Sequence, residues 1–202
     1  MTEDEWLTSA DPKRMLKFLR LKRQPTERKL RLLAAACCRR MWHELSDWNR
    51  ACVEESERFA DGLSSPVKLR AARLLKNKGP GGGVMGWLAS KPKAAEGADQ
   101  AIHFGTTLSS SQDTERTAQS SLFRDIFPNP FQPVAFDPAW FTSTVVAIAH
   151  GTYDSRDFSP MPILADALQD AGCDNADILT HCRGDGPHVR GCWVIDAILG
   201  KA

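Results

Sequence analysis

Four residues near the C-terminal end have the types and spacing of a metal site. Cys173, Cys182, His188 and Cys192 read C-x8-C-x5-H-x3-C. Three thiolates and one imidazole make a complete four-ligand set for structural zinc. His181 stands beside Cys182 as a spare ligand. The competing reading is of buried thiols. Cys173 falls at a helix end, Cys182 follows Ile178 and Leu179 at helical spacing, and Cys192 sits beside Trp193. Free cysteine packs as a small hydrophobe. The expectation is therefore no cofactor, with zinc on these four residues as the alternative.

The spacings 8, 5 and 3 resemble those of C-x8-C-x5-C-x3-H zinc fingers that bind single-stranded RNA, with the last two ligand types exchanged. Those fingers have almost no regular structure, whereas these residues lie among amphipathic helical patterns. Cys37 and Cys38 with His43 form a second thiol cluster. A nucleophilic cysteine needs a nearby cation or a helix N-terminus to lower its pKa. Arg39 and Arg40 are cationic, but a mid-helix Cys37 gains nothing from the dipole. The loop from Arg183 to Gly191, with Arg183, His188 and Arg190, could cradle an anion at the start of the last helix. The bland reading is a tight inter-helix turn with Arg190 paired to Asp185 or Asp196. The acidic residues Asp166, Asp170, Asp174 and Asp177 fall at caps and solvent faces. No P-loop, H-E-x-x-H or G-x-S-x-G pattern occurs. No catalytic residue is assigned, and the balance leans away from an enzyme.

The elements that must position these residues read as helices. The chain has 202 residues, 42% apolar and 25% charged, enough to bury a core. Asp11-Pro12 is a cap followed by proline at the first helical position. Leu30, Leu33, Ala34, Cys37, Met41 and Leu45 recur at three- and four-residue steps and predict one long helix with one buried face. Asp47 can cap the next helix, and Ser65-Pro66 opens another. Residues 79–111 are rich in Gly, Ser, Thr, Lys and Ala and read as a linker or mobile loop. Helical spacing resumes at Gln112 and ends before Pro128. An extended aromatic and proline crossing follows from Phe127 to Phe136. Further helices are expected from Asp137-Pro138, Pro160 and Asn175, and a last one from about Pro187. No segment alternates convincingly with period two. The fold class is all-α, an orthogonal or bundle-like domain of about eight or nine helices. Its parts are a basic 1–78, the flexible 79–111 and an acidic 112–202, co-folded as one domain.

Net charge is +1, but it is unevenly spread. Residues 1–80 carry 18 Lys/Arg against 11 Asp/Glu, and residues 81–202 carry 8 against 14. The halves are thus +7 and −6. Such a split hints at an anionic partner for the basic half, through Arg39, Arg40, Lys68, Arg70 and Arg73. Otherwise these are solvated helix faces. No apolar run approaches the 18 residues of a membrane span. The acidic start M-T-E-D-E-W lacks a secretory core. A cytoplasmic location with reduced thiols is expected.

Three stretches together resemble an uncharacterised multicopy bacterial protein family. They are A-A-A-C-C-R-R-M-W, L-F-R-D-I-F-P-N-P-F, and H-C-R followed by G-P-H-V-R-G-C-W-V-I-D. The resemblance covers most of the chain outside 79–111 and implies no established activity. In similar sequences an alanine-rich helical stretch stands at 79–111, so that segment could hide a degenerate helix. The tail, found attached to other proteins, implies a reusable packing or docking module. The function expected is a non-catalytic helical interaction or scaffold protein acting through protein–protein contacts. Its candidate docking surfaces are His188–Trp193 and the Phe127–Phe136 crossing. The alternatives are nucleic-acid binding through the basic half and a zinc-stabilised C-terminal module.

Overall fold

A computed structural model describes residues 1–22, 25–74 and 85–201. The fold is all-α, with twelve helices, nine of them seven residues or longer, and no strand among the described residues. Two compact units are formed. One comprises Met1 and Thr8–Phe123, the other Thr2–Leu7 and Arg124–Ala202. The first helix is α1 (Glu3–Thr8). The division between units falls after Phe123, and not at the glycine-rich break after Lys78.

In the first unit, α2 (Pro12–Leu21) begins where the Asp11 carboxylate accepts the Arg14 N–H at 3.0 Å. Thr26 caps α3 (Glu27–Arg39) in the same way through Lys29. The expected buried face of α3 is present, but the opposite face is buried too: every residue from Leu30 to Cys38 is buried, including Arg31. The helix packs on α4 (Asp47–Ala60), α6 (Met85–Ala89) and α7 (Ala94–Leu108), which surround it. Met41 and Leu45 are buried as expected, but outside the helix, in and around a 3-10 turn over Trp42–Glu44. Ser46, and not Asp47, caps α4, and its extended backbone (φ −65°, ψ 158°) forbids a helix running through it.

The linker expected at 79–111 fails where the structure describes it. Residues 79–84 lie outside the described residues. Met85–Ala89 and Ala94–Leu108 are helical, and Ala94, Ala98, Ala101 and Ile102 are core. The small residues serve close approach, not flexibility. A Cβ on Gly86 would lie 2.1 Å from the Asn49 carbonyl oxygen, and one on Gly97 2.6 Å from that of Leu88. Only glycine lets α6 lie on α4, and α7 on α6, at these separations. Buried Arg31 donates to the carbonyls of Ala89, Lys91 and Pro92 at 3.3, 2.8 and 3.2 Å. These carbonyls belong to the last residue of α6 and to the turn that follows it. Outside this core runs α5 (Pro66–Leu74), with Leu69 buried.

Between the two units' cores in sequence lies α8 (Gln112–Ile126), as expected from its spacing. The second unit continues with α9 (Ser143–Ser155), α10 (Met161–Asp170), α11 (Ala176–Arg183) and α12 (Trp193–Ile198). Val145, Ala149, Tyr153, Leu164, Leu168, Ile178, Cys182, Val194 and Ile195 form its core. Asp137-Pro138 opens only a 3-10 turn, and Thr142 caps α9 by accepting the Val145 N–H. The last helix starts at Trp193, six residues later than expected. Gly191 has φ +97°, a left-handed conformation that interrupts any helix there.

Candidate functional site

Chemistry-bearing side chains converge at one place in the second unit. Asp125 comes from the last turn of α8 and His181 from α11. His188 and Cys192 come from the segment joining α11 to α12, where Cys192 is the cap residue of α12. One ligand atom from each of the four lies within 4.8 Å of all the others.

Asp125 organises the cluster. Its Oδ1 takes the His188 Nδ1–H at 2.8 Å and lies 3.3 Å from His181 Nε2. Its Oδ2 accepts the Val189 backbone N–H at 2.9 Å. The carboxylate is 3% exposed. Burial pushes its pKa up, but the hydrogen bonds from His181 and His188, and their charge, outweigh that and hold it below the ordinary carboxylate value. His181 Nε2 also lies 3.2 Å from Cys192 Sγ, and its Nδ1 accepts the Trp193 indole N–H at 3.2 Å. An indole nitrogen can only donate. Neutral His181 therefore carries its proton on Nε2, toward Asp125 and Cys192. His188 Nε2 is buried with no hydrogen-bond partner.

The sequence pattern named half of this set. His188 and Cys192 are in the cluster, whereas Cys173 and Cys182 lie outside the four-donor group. Their places are taken by Asp125 and His181. His181 was legible as the spare ligand. Asp125 lies 56 positions before His181 in R-D-I-F and carried no signal of its own beyond that motif. Both Cys173 and Cys182 are core side chains, matching the buried-thiol reading for these two.

The arrangement is not one for nucleophilic catalysis. A thiol–imidazole–carboxylate relay needs thiol and carboxylate on opposite ring nitrogens. Here Cys192 and Asp125 share Nε2 of His181. Cys192 is fully buried, and burial together with the Asp125 charge pushes its thiol well above the usual range. Burial likewise pushes Cys38 and Cys182 up to about 12 and Cys52 to about 11, and raises Cys37 well above its ordinary value. The Cys37–Cys38 pair is sealed in α3 while His43 is exposed.

The basic candidates are dispersed. Arg39 makes a two-pronged ion pair with Glu57, at 2.5 and 2.8 Å, and lies over the Trp42 ring. Arg40 pairs with Glu115 at 2.9–3.0 Å. Lys68 and Arg70 stand exposed on α5. Arg70 and Arg73 line a cleft of about 510 Å³ with Arg31, Phe59, Leu69 and Pro92, and Arg73 lies over Trp87 at 5.1 Å. Arg183 binds Asp166 and Gln169, both at 2.7 Å. Arg190 packs on the Tyr153 ring and donates to its backbone carbonyl at 3.2 Å. Arg183 and Arg190 are thus engaged with α10 and α9, and no helix of useful length begins in their loop. Within the expected His188–Trp193 docking segment, Gly191, Cys192 and Trp193 are buried, and Trp193 packs against Phe136 at 5.9 Å.

No described helix is long and apolar enough to cross a membrane. Comparison with family models, with curated proteins and with solved structures finds no match to this chain.

Proposed function

We propose that this protein is a non-catalytic helical interaction protein that acts through protein–protein contact. One observation carries the reading. Val67 and Leu74, seven residues apart on α5, and Leu63 in the turn before it are all largely exposed, with Val67 at 76%. Lys68 and Arg70 stand exposed on the same helix. A short exposed helix that presents apolar side chains beside cations suits a partner segment with apolar residues flanked by carboxylates. The sealed Asp125 cluster and the raised thiols support the non-catalytic half of the reading.

Nucleic acid has less to rest on as the partner. Two of the five basic residues expected to carry it, Arg39 and Arg40, spend their donors on Glu57 and Glu115. The discriminating experiment crosslinks wild-type protein and a Val67→Asp, Leu74→Asp variant in cells and identifies captured proteins. The expected result is a defined partner lost in the variant, with melting unchanged because both side chains already face water. Partners unchanged by the double substitution would overturn the α5 reading. A salt-dependent gel shift with RNA or DNA, abolished by Lys68→Glu and Arg70→Glu, would replace it with the nucleic-acid reading.

A further inference from the structure

We propose that the second unit binds one divalent transition-metal ion of the zinc class, through Asp125, His181, His188 and Cys192. The site is independent of the interaction reading above.

Geometry supports it first. In a tetrahedral zinc site, bonds of about 2.0–2.3 Å place N and O ligand atoms about 3.3 Å apart and N and S about 3.6 Å apart. The His181 Nε2 to Asp125 Oδ1 distance is 3.3 Å, and His181 Nε2 to Cys192 Sγ is 3.2 Å. The His188 Nδ1 to Asp125 Oδ1 distance is 2.8 Å, and the widest separation in the set stays within 4.8 Å. Side-chain movements of a few tenths of an ångström to about an ångström turn this set into a coordination shell. The donors arrive from the end of one helix, the body of a second, the segment that follows it and the cap of a third, so the framework holds them without the metal.

Charge supports it next. A buried carboxylate is costly unless neutralised nearby. Asp125 and a Cys192 thiolate together carry two negative charges, which a divalent cation cancels. Coordination to such an ion deprotonates a thiol outright. A mixed N, O and S set suits zinc and its first-row neighbours, and it excludes calcium and magnesium, which take oxygen ligands. The low exposure of all four residues makes the site a closed, structural one.

Internal contacts must yield, among them the proton that His188 Nδ1 gives to Asp125 Oδ1. Coordination through His181 Nε2 moves the ring proton to Nδ1, which then no longer accepts the Trp193 N–H. The indole loses its 3.2 Å partner on loading, so Trp193 fluorescence reports binding.

The test uses the full chain, purified without a polyhistidine tag, stripped with chelator and reloaded with Zn(II) or Co(II). The expected result is about one metal retained per chain after gel filtration and a change in tryptophan emission. The Co(II) form should show tetrahedral ligand-field bands and a thiolate-to-cobalt charge-transfer band. Cys192→Ser should abolish the charge-transfer band, and His181→Gln should weaken binding at least about 100-fold. His181 is 16% exposed, so its variant keeps a folded protein to measure should Cys192→Ser not fold. Cys182→Ala should leave stoichiometry and spectrum intact. Failure of the wild type to retain either metal would overturn the proposal, as would a charge-transfer band that depends on Cys182 and not on Cys192.

Discussion

Replacing Asp125 by asparagine should destabilise the metal-free protein far more than the same change at Asp166. Asp125 accepts the His188 and Val189 N–H groups on different oxygens and lies beside His181 Nε2. Asparagine keeps one acceptor and turns an NH₂ group toward a donor. Hydrogen bonds to a charged group contribute about 1.5–3 kcal/mol each, and a buried donor left unpaired costs about 1–3 kcal/mol. These overlap, and breaking a buried charged pair typically costs about 3–5 kcal/mol, which we take as the expected loss. For a chain of this size that corresponds to a fall in Tm of roughly 10 °C. Asp166, whose side chain is 70% exposed, meets Arg183 at 2.7 Å at the surface. Solvent screening limits that pair to less than about 1 kcal/mol. Urea and thermal unfolding in excess chelator, followed by circular dichroism, measure both. A loss below about 1 kcal/mol for Asp125→Asn, or equal losses for the two variants, would show that the cluster does not hold the second unit together.

Trp193→Ala should cost about 3–5 kcal/mol in denaturant unfolding, since the ring is 8% exposed and packs on Phe136 and His181. Two helical glycines should respond with opposite signs. Gly86→Ala meets the Asn49 carbonyl and should destabilise by about 1–3 kcal/mol, whereas Gly151→Ala in α9 meets nothing and should stabilise by about 0.5–1 kcal/mol. Thiol titration with a chromogenic disulfide near pH 8 should label the native protein slowly and all six cysteines rapidly once unfolded. All six are buried, and burial raises the pKa of five of them, so few thiolates form until the chain opens.

Much of the fold was legible because its signals are local. Asp11-Pro12, Thr26 and Asn175 cap helices with their own side chains, and each acts over three residues of chain. The apolar steps of α3, α8 and α10 likewise follow from 3.6-residue geometry. The linker reading of 85–108 failed because composition alone does not distinguish glycine used for freedom from glycine used for contact. Gly86 and Gly97 are close-contact positions, and the atoms they make room for belong to Asn49 and Leu88. The last helix was placed too early because Pro187 resembles a start signal. The Val189 N–H that a helix there would leave unpaired belongs instead to Asp125, 64 residues away in sequence.

The sequence by itself determined an all-α chain and most helix starts, and it offered His188, Cys192 and, as a spare, His181 among its candidate donors. Tertiary structure alone decided the rest. It chose Asp125 and His181 over Cys173 and Cys182, because ligand sets depend on distances between helices that spacing along one chain does not encode. It also decided what the basic residues do. Arg31 closes the end of α6, and Arg39 and Arg40 pair with carboxylates 18 and 75 residues away. The uneven charge of the sequence is therefore partly consumed inside the first unit, and α5 keeps Lys68 and Arg70 exposed to solvent.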